Sequence, residues 1–249
     1  WNIRTASNDI SKSAISQISY YLNDLENEVE RIKLLQFNVV EDSDLNKLAI
    51  VWETLDNIER TEKINAVLYR VFTLQNSSKY IKNVNVHIRT ISKSISSQSG
   101  PGAFNAERYR EIRSEFGKPG SQLIKWNGGL YLSASKPSGS KDGEPLFVVE
   151  IELDPLKLQE DLAQFNTYPD SGTLLISNRN GYALGSGQLG GLKVDEASAD
   201  RALSPIAAGR SDTVEVEGRR YFVSRADSDT LDMTIYRLIP EKIIHKPLD

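Results

Sequence analysis

The feature that most constrains the fold of this 249-residue chain is the helical pattern of its first forty residues. Apolar side chains recur there at alternating intervals of three and four residues, the spacing of a heptad seam on one helix face. The seam consists of Ile15, Ile18, Leu22, Leu25, Val29 and Ile32. No glycine or proline interrupts it. The pattern predicts one long helix, which is either an amphipathic helix packed on its own domain or a dimerising stalk.

Helical periodicity continues through two further apolar stripes. Asp42, Ser43 or Asp44 is expected to cap a helix that begins near Leu45. A second stripe follows at 64–74, before the polar run that begins at Asn76. The first third of the chain is therefore predicted to be largely helical.

The period changes to that of a β-strand at Tyr80, where apolar and polar residues begin to alternate. Gly100-Pro101-Gly102 is predicted to break the chain, and 105–116 to form a short charged helix. Asn127-Gly128 predicts a hairpin between two strands, and Leu146–Leu153 reads as a further strong strand.

A second, shorter series of strands follows a helix that begins at Pro155. Hairpin turns are predicted at 178–181 and at Glu217-Gly218, and a final helix at Pro240. Helices and antiparallel strands do not alternate as in a βαβ chain, so the fold class is α+β with a long N-terminal helix and two antiparallel-sheet subdomains. The expected divisions are residues 1–40, 41–166 and 167–249.

This order of elements resembles the double Cache fold, a tandem PAS-like sensor domain found outside the membrane in bacterial receptors. The resemblance rests on the opening helix and on strand patterns at Tyr80–Ser97, Leu130–Leu153, Leu174–Ser186 and Ile235–Pro240. It implies a stalk helix, a membrane-distal subdomain and a membrane-proximal subdomain that leads back toward the membrane. The opening helix and the Ile239-Pro240 exit most resemble Gram-positive two-component sensor histidine kinases.

Composition and motifs argue against most other functions. The net charge of −4 disfavours nucleic-acid binding, and a chain without cysteine has no disulfides and no thiolate chemistry. A G-x-G-x-x-G match at Gly185–Gly190 follows a hairpin strand, and an S-x-x-K match at Ser133–Lys136 lies in a strand pattern, so neither has the context its chemistry needs. We therefore expect no catalysis, no cofactor and no metal in this segment.

The resemblance implies a ligand site between the distal sheet and the helix that covers it. The residues that we expect to bind ligand are Arg110, Trp126, Tyr131 and Ser133, with Arg108 and Arg113 as alternative arginines. The same aromatic residues are alternatively plain core, and the arginines a solvated helix face. Family members that bind amino acids carry an Arg-x-Trp-Tyr-like run that this chain lacks. The expected partner is therefore another small molecule or a ligand-loaded solute-binding protein.

In the proximal subdomain, Tyr182, Tyr221 and Arg225 are candidates for a second, smaller pocket. The chain begins at Trp1, its one methionine is Met233, and it has no run of the roughly 20 apolar residues that span a bilayer. We therefore expect a segment taken from between two membrane spans, on the extracellular face of the membrane. The expected parent is a histidine kinase, with a chemoreceptor or a membrane-bound transcription regulator as alternatives. A secreted or surface-anchored binding module is the second interpretation. A homodimer through the N-terminal helix is a further expectation.

Overall fold

A computed structural model of the chain describes residues 2–116, 123–137, 144–187 and 201–245. The chain divides into two compact units. The first unit is Glu28–Pro155, and the second unit combines the chain up to Asn27 with the chain from Leu156 onward. Among the described residues, the longest helices carry too many polar side chains to cross a membrane.

The opening helix is confirmed as a single element, α1 (Asn2–Val40). Five of the six predicted seam residues are buried: Ile18 and Ile32 are fully inaccessible, and Leu22, Leu25 and Val29 are nearly so. The sixth, Ile15, is partly buried. An amphipathic helix packed on its own domain buries its seam in this way.

Two capped helices follow, α2 (Ser43–Val51) and α3 (Asn57–Asn76). The Asp42 carboxylate accepts the backbone N–H of Leu45 at 2.9 Å, which confirms the predicted cap of α2. Asp56 caps α3 in the same way, accepting from Glu59 N at 2.8 Å. Each carboxylate satisfies an N–H that has no partner within the helix.

The first unit contains a six-stranded antiparallel sheet and one further helix, α4 (Ala106–Phe116). Its strands are β1 (Ile81–Ile88), β2 (Lys93–Ser96), β3 (Gly100–Ala103), β4 (Leu123–Trp126), β5 (Gly129–Lys136) and β6 (Phe147–Leu153). Their order across the sheet is β3-β2-β1-β6-β5-β4.

The prediction that Gly100-Pro101-Gly102 breaks the chain was wrong, because these residues form β3 and pair with β2. Pro101 lies opposite Ile95. Proline lacks the N–H that a central strand needs, so an edge strand is where it is tolerated.

The second unit contains α5 (Pro155–Ala163), a five-stranded antiparallel sheet and the short α6 (Glu241–Ile244). The strands are β7 (Gly172–Ser177), β8 (Ala183–Gly187), β9 (Ser211–Val216), β10 (Arg219–Ser228) and β11 (Met233–Pro240). Their order is β8-β7-β11-β10-β9. Apart from β3, the first sheet has this same order, in which the last strand lies between two hairpins. The two antiparallel-sheet subdomains predicted from the sequence are confirmed.

The predicted hairpin turns are confirmed by their backbone geometry. Asn127 and Gly128 have φ of 45° and 76°, and Glu217 and Gly218 have φ of 51° and 78°. Two successive positive φ values define the turn type that best matches the twist of paired strands. Parts of the predicted loops at 137–143, 185–190 and 195–208 lie outside the described residues.

Candidate functional site

The sheet of the first unit has one apolar face. Val84, Val86 and Ile88 of β1 lie on it with Val149 and Ile151 of β6, and all five are fully buried. The side chain of Gln36 on α1 donates to the backbone oxygens of Val149 at 2.9 Å and Leu132 at 3.2 Å. This face is therefore the one that packs against α1, and it forms the core of the unit.

The other face of the same sheet is polar. Glu150 of β6 lies directly opposite Asn85 of β1 and Ser133 of β5, and residues opposite each other in antiparallel strands project to the same side. His87 and Tyr131 lie on this side as well, two positions along their strands. Glu150, Asn85 and His87 are nonetheless buried, with exposures of 1%, 6% and 5%. Water is excluded from a face that is rich in hydrogen-bonding groups.

Helix α4 and the residue before its cap cover this polar face. Asn105 caps α4 by accepting from Arg108 N at 3.0 Å. The rings of Phe104 and Tyr109 lie 5.0 Å apart, and both are in contact with the imidazole of His87, at 6.3 and 6.5 Å between centroids. An aromatic lid therefore closes over the middle of the polar face.

A buried ionic network occupies the centre of the site. Arg108 Nη2 donates to Glu150 Oε1 at 2.7 Å, and His87 Nε2 lies 3.1 Å from Glu150 Oε2. An ionised carboxylate only accepts hydrogen bonds, so Nε2 is the protonated nitrogen of His87 in this arrangement. His87 Nδ1 lies 3.0 Å from the hydroxyl of Ser94. Both oxygens of Glu150 are thus held, as a buried charge requires.

The buried polar atoms of the site that have no hydrogen-bond partner among the described residues include Arg108 Nε, Ser133 Oγ and the hydroxyl of Tyr109. Buried polar groups in folded proteins are almost always paired, so each of these atoms calls for a partner such as a water molecule or a ligand. Nε can only donate, whereas a hydroxyl can donate or accept. The site is consequently complementary to a ligand that carries at least one acceptor.

The structure brings together three of the four residues that we predicted to bind ligand. Trp126, Tyr131 and Ser133 lie on the polar face, and the rings of Trp126 and Tyr131 meet edge to face at 6.0 Å. The guanidinium of Arg108 lies 5.3 Å from the Trp126 ring centroid. Burial, and next the carboxylates of Glu152 and Glu150, raise the pKa of Tyr131 to about 12. Its hydroxyl therefore stays protonated and able to donate at physiological pH.

The fourth predicted residue, Arg110, does not join them. Its side chain is exposed, and Nε donates to the backbone oxygen of Ala106 in its own helix at 3.3 Å. Successive helical residues are about 100° apart, so Arg108 and Arg110 point in nearly opposite directions. Arg108, the alternative arginine, is the one that reaches the polar face.

Sequence reasoning missed His87 and Glu150 as site residues. A signal for each was present: Asn83, Asn85 and His87 alternate with the buried residues of β1, and Glu150 and Glu152 interrupt an otherwise apolar run in β6. A strand whose buried face is regularly polar indicates a binding site, because burying polar groups in a core that binds nothing costs free energy.

The smaller pocket expected in the second unit around Tyr182, Tyr221 and Arg225 stays a prediction, and of these three residues only Tyr221 lines the cavity of that unit described below. Tyr221 belongs to an apolar cluster with Leu174, Leu203, Ile206, Val223, Tyr236 and Leu238. The guanidinium of Arg225 pairs with Asp227 at 2.8 Å and donates to Ile206 O at 2.7 Å. Both side chains therefore make contacts within the fold of the second unit.

Two surface cavities are lined by described residues. One of about 420 Å³ in the first unit lies against α3, lined in part by Leu68, Tyr69, Phe72, Ser97 and Gln98. The other, about 490 Å³ in the second unit, is lined by Asp170, Arg219, Arg220, Tyr221, Pro240, Glu241 and Lys242. The cavity in the first unit is an apolar groove, whereas the cavity in the second unit is bordered by ion pairs.

The fold is similar to that of solved sensory domains. The ligand-binding domain of the Campylobacter jejuni chemoreceptor Tlp3, in complex with 4-methylisoleucine, is 12% identical with a TM-score of 0.65, over 99% of this chain and 95% of that one. The extracellular domain of the proposed histidine kinase rpHK1S-Z16 is 10% identical with a TM-score of 0.61, over 96% and 95%. The ligand-binding domain of the Pseudomonas aeruginosa PAO1 amino-acid chemoreceptor PctB, bound to L-Arg, is 14% identical with a TM-score of 0.57, over 95% and 87%.

No family model matches the chain, and no curated protein matches its sequence. The long helix and the two antiparallel sheets form an α+β fold similar to that of these sensory domains. At these identities the similarity establishes the fold alone.

Proposed function

We propose that this chain is the extracytoplasmic ligand-sensing domain of a bacterial transmembrane receptor. The observation that carries the proposal is the buried polar face of the first sheet, with Glu150, His87 and Arg108 at its centre. A domain without a ligand gains nothing from placing unpaired polar atoms under an aromatic lid. The similarity of the fold to ligand-binding domains of receptors supports the same conclusion.

The proposed ligand is a small organic molecule that binds in the first unit. Arg108 Nε and Ser133 Oγ would pair with an acceptor on it, and the Trp126 ring would stack against an apolar or sugar face. Two of the neighbouring structures are complexes, one with 4-methylisoleucine and one with L-Arg, so amino acids belong in the set to be tested.

A thermal-shift screen of the chain against sugars, amino acids, organic acids and metal ions tests the ligand site. A ligand at 100 times its Kd is expected to stabilise the chain by about 2.7 kcal/mol. Trp126→Ala and Tyr131→Ala are expected to abolish the shift, because both rings border the open polar atoms. Ser133→Ala removes one of these atoms with less disturbance to packing and is expected to weaken binding about tenfold.

Tyr69→Ala is the matched control, since this aromatic side chain is 71% exposed on α3, away from the site. Its shift should equal that of the unmodified chain. A shift that survives in folded Trp126→Ala and Ser133→Ala would place the ligand elsewhere. A chain that responds to no small molecule would instead favour docking of a ligand-loaded binding protein, for which the apolar groove on α3 offers a surface.

We further propose a two-component histidine kinase of the Gram-positive type as the parent, based on the opening helix and the Ile239-Pro240 exit. In this arrangement the first unit is membrane-distal, and the second unit passes the signal on through β11. Chemoreceptors share the fold, so the coding sequence downstream of this segment distinguishes the two outputs. A secreted module would have no membrane span on either side.

We propose that the chain forms a homodimer through α1, but through a different face of this helix from the predicted seam. Since the seam is buried within the chain, the apolar residues of α1 that remain available in the first unit are Leu34 and Phe37, which are 67% and 58% exposed. They lie one turn apart on the outer face. A second copy of α1 packed on this face would bury both.

The variant Leu34→Ser/Phe37→Ser is expected to raise the dimer Kd at least tenfold, as measured by sedimentation over a range of concentrations. Ile58→Ser/Tyr69→Ser removes equally exposed apolar residues from α3 and is expected to leave the dimer intact. A dimer that the α3 variant dissociates, or a chain that stays monomeric at millimolar concentration, would contradict this surface.

A further inference from the structure

The second unit contains a buried arginine that the sensing function does not use. Arg237 of β11 is 5% exposed and lies opposite Thr173 and Ser224 in the sheet. Its neighbours in sequence, Tyr236 and Leu238, belong to the apolar cluster on the other face. Arg237 therefore projects to the face on which α1 packs.

The contacts of Arg237 are neutral. Nη1 donates to Gln17 Oε1 of α1 at 2.6 Å, and Nη2 donates to Thr167 Oγ1 at 3.0 Å. Within the part of the chain that the structure describes, no carboxylate lies within ion-pair distance of the guanidinium. Burial lowers the pKa of Arg237 from its ordinary value. A buried charge without a counter-charge is among the most unfavourable arrangements in a protein interior.

Two donors in this region have no acceptor among the described residues. One is Arg237 Nε, and the other is the hydroxyl of Tyr21 on α1. Both side chains flank the same ring: the Tyr21 ring lies 5.6 Å from that of Phe165, and the Arg237 guanidinium lies 5.9 Å from it. The uncompensated positive charge of Arg237 and its unpaired Nε point to a bound anion.

We propose that Arg237 holds a small monovalent anion of the size of chloride beneath α1. Nε has no acceptor within the described part of the chain, and each terminal nitrogen donates one of its two N–H groups to a neutral oxygen. A compact acceptor at Nε leaves both of these hydrogen bonds in place. Ile18, Leu162 and Ile235, on the three elements that meet here, are fully inaccessible, which also favours a compact occupant. A water molecule would satisfy Nε but leave the charge uncompensated.

Chemical unfolding in sodium chloride and in sodium gluconate, at one ionic strength, tests this site in the 249-residue chain. Chloride is expected to stabilise the chain saturably, and at ten times its Kd to lower the unfolding equilibrium constant about tenfold. Arg237→Gln removes the charge and is expected to remove the difference between the two salts. Arg225→Gln is the matched control, because Arg225 already pairs with Asp227, and it should keep the chloride response.

Crystals of the unmodified chain soaked in sodium bromide give a readout that does not depend on the folding of a variant. An anomalous peak within hydrogen-bond distance of Arg237 Nε supports the site. Equal stability in chloride and gluconate, a chloride response that persists in Arg237→Gln, or bromide found only elsewhere would each overturn it.

Discussion

Replacing Glu150 by glutamine is expected to lower the free energy of unfolding by about 3 kcal/mol. The substitution keeps the shape of the side chain but removes the charge that Arg108 and His87 share. A glutamine amide also places a donor where both neighbours donate, so one hydrogen bond is lost outright. Urea unfolding at neutral pH measures the difference. Ligand affinity is expected to fall with it, because Arg108 loses the contact that orients its guanidinium.

Glu152→Gln is the control for Glu150→Gln. Glu152 lies two positions along the same strand and on the same face, but its partner Lys82 is 3.7 Å away and half exposed. Such a pair contributes less than about 1 kcal/mol. The double variant Glu150→Gln/Arg108→Gln is expected to be less destabilised than the sum of the two single variants, since neither charge is then left alone. Equal losses at Glu150 and Glu152 would show that burial of the network does not matter.

Replacing Gly187 by alanine is expected to lower the free energy of unfolding by about 3–4 kcal/mol. Gly187 has a φ of +68°, which side chains rarely adopt, and a Cβ there would lie 2.4 Å from the backbone oxygen of Ser171. It would also lie 2.7 Å from Asn166 Nδ2, which donates to Ser186 Oγ. Since a backbone oxygen cannot rotate away, β8 or the segment before β7 must shift. Denaturant unfolding measures the loss.

Gly218→Ala separates the two causes. Gly218 has a φ of +78° in the β9–β10 turn, and a Cβ there would meet nothing within 4 Å. Its substitution therefore carries only the backbone strain, about 1–2 kcal/mol. If both alanine variants lose the same stability, the close approach of Gly187 to Ser171 is not a constraint on the fold.

Much of the fold could be predicted because its signals are local. Asp42 and the Asn127-Gly128 turn act through their own backbone neighbourhood, so the sequence around them is sufficient. The prediction at Gly100-Pro101-Gly102 was wrong because these residue types commonly form turns, whereas here they form a strand by pairing with β2. Whether a segment forms an edge strand depends on its pairing with the neighbouring strand, and a local sequence pattern does not report that pairing.

The site residues within one hairpin could be predicted from the sequence, but the contacts between different elements could not. Trp126, Tyr131 and Ser133 follow from the alternation of a hairpin, which places them on one face. Choosing Arg108 over Arg110 required the inward face of α4, which the buried Tyr109 and Ile112 define. Glu150 joins Arg108 across 42 residues of sequence, and no local periodicity reports such a pair.

The shared strand order has a mechanical consequence. In each unit the chain departs from a strand that is hydrogen-bonded along both edges, so the departing segment cannot peel away by itself. Glu150 lies on the first of these strands, and only four residues separate it from Pro155, where α5 begins. Displacement of Glu150 would therefore displace β6 together with the strands that hold it on both edges. The second unit repeats the arrangement, with Arg237 three residues before Pro240, the last residue of β11.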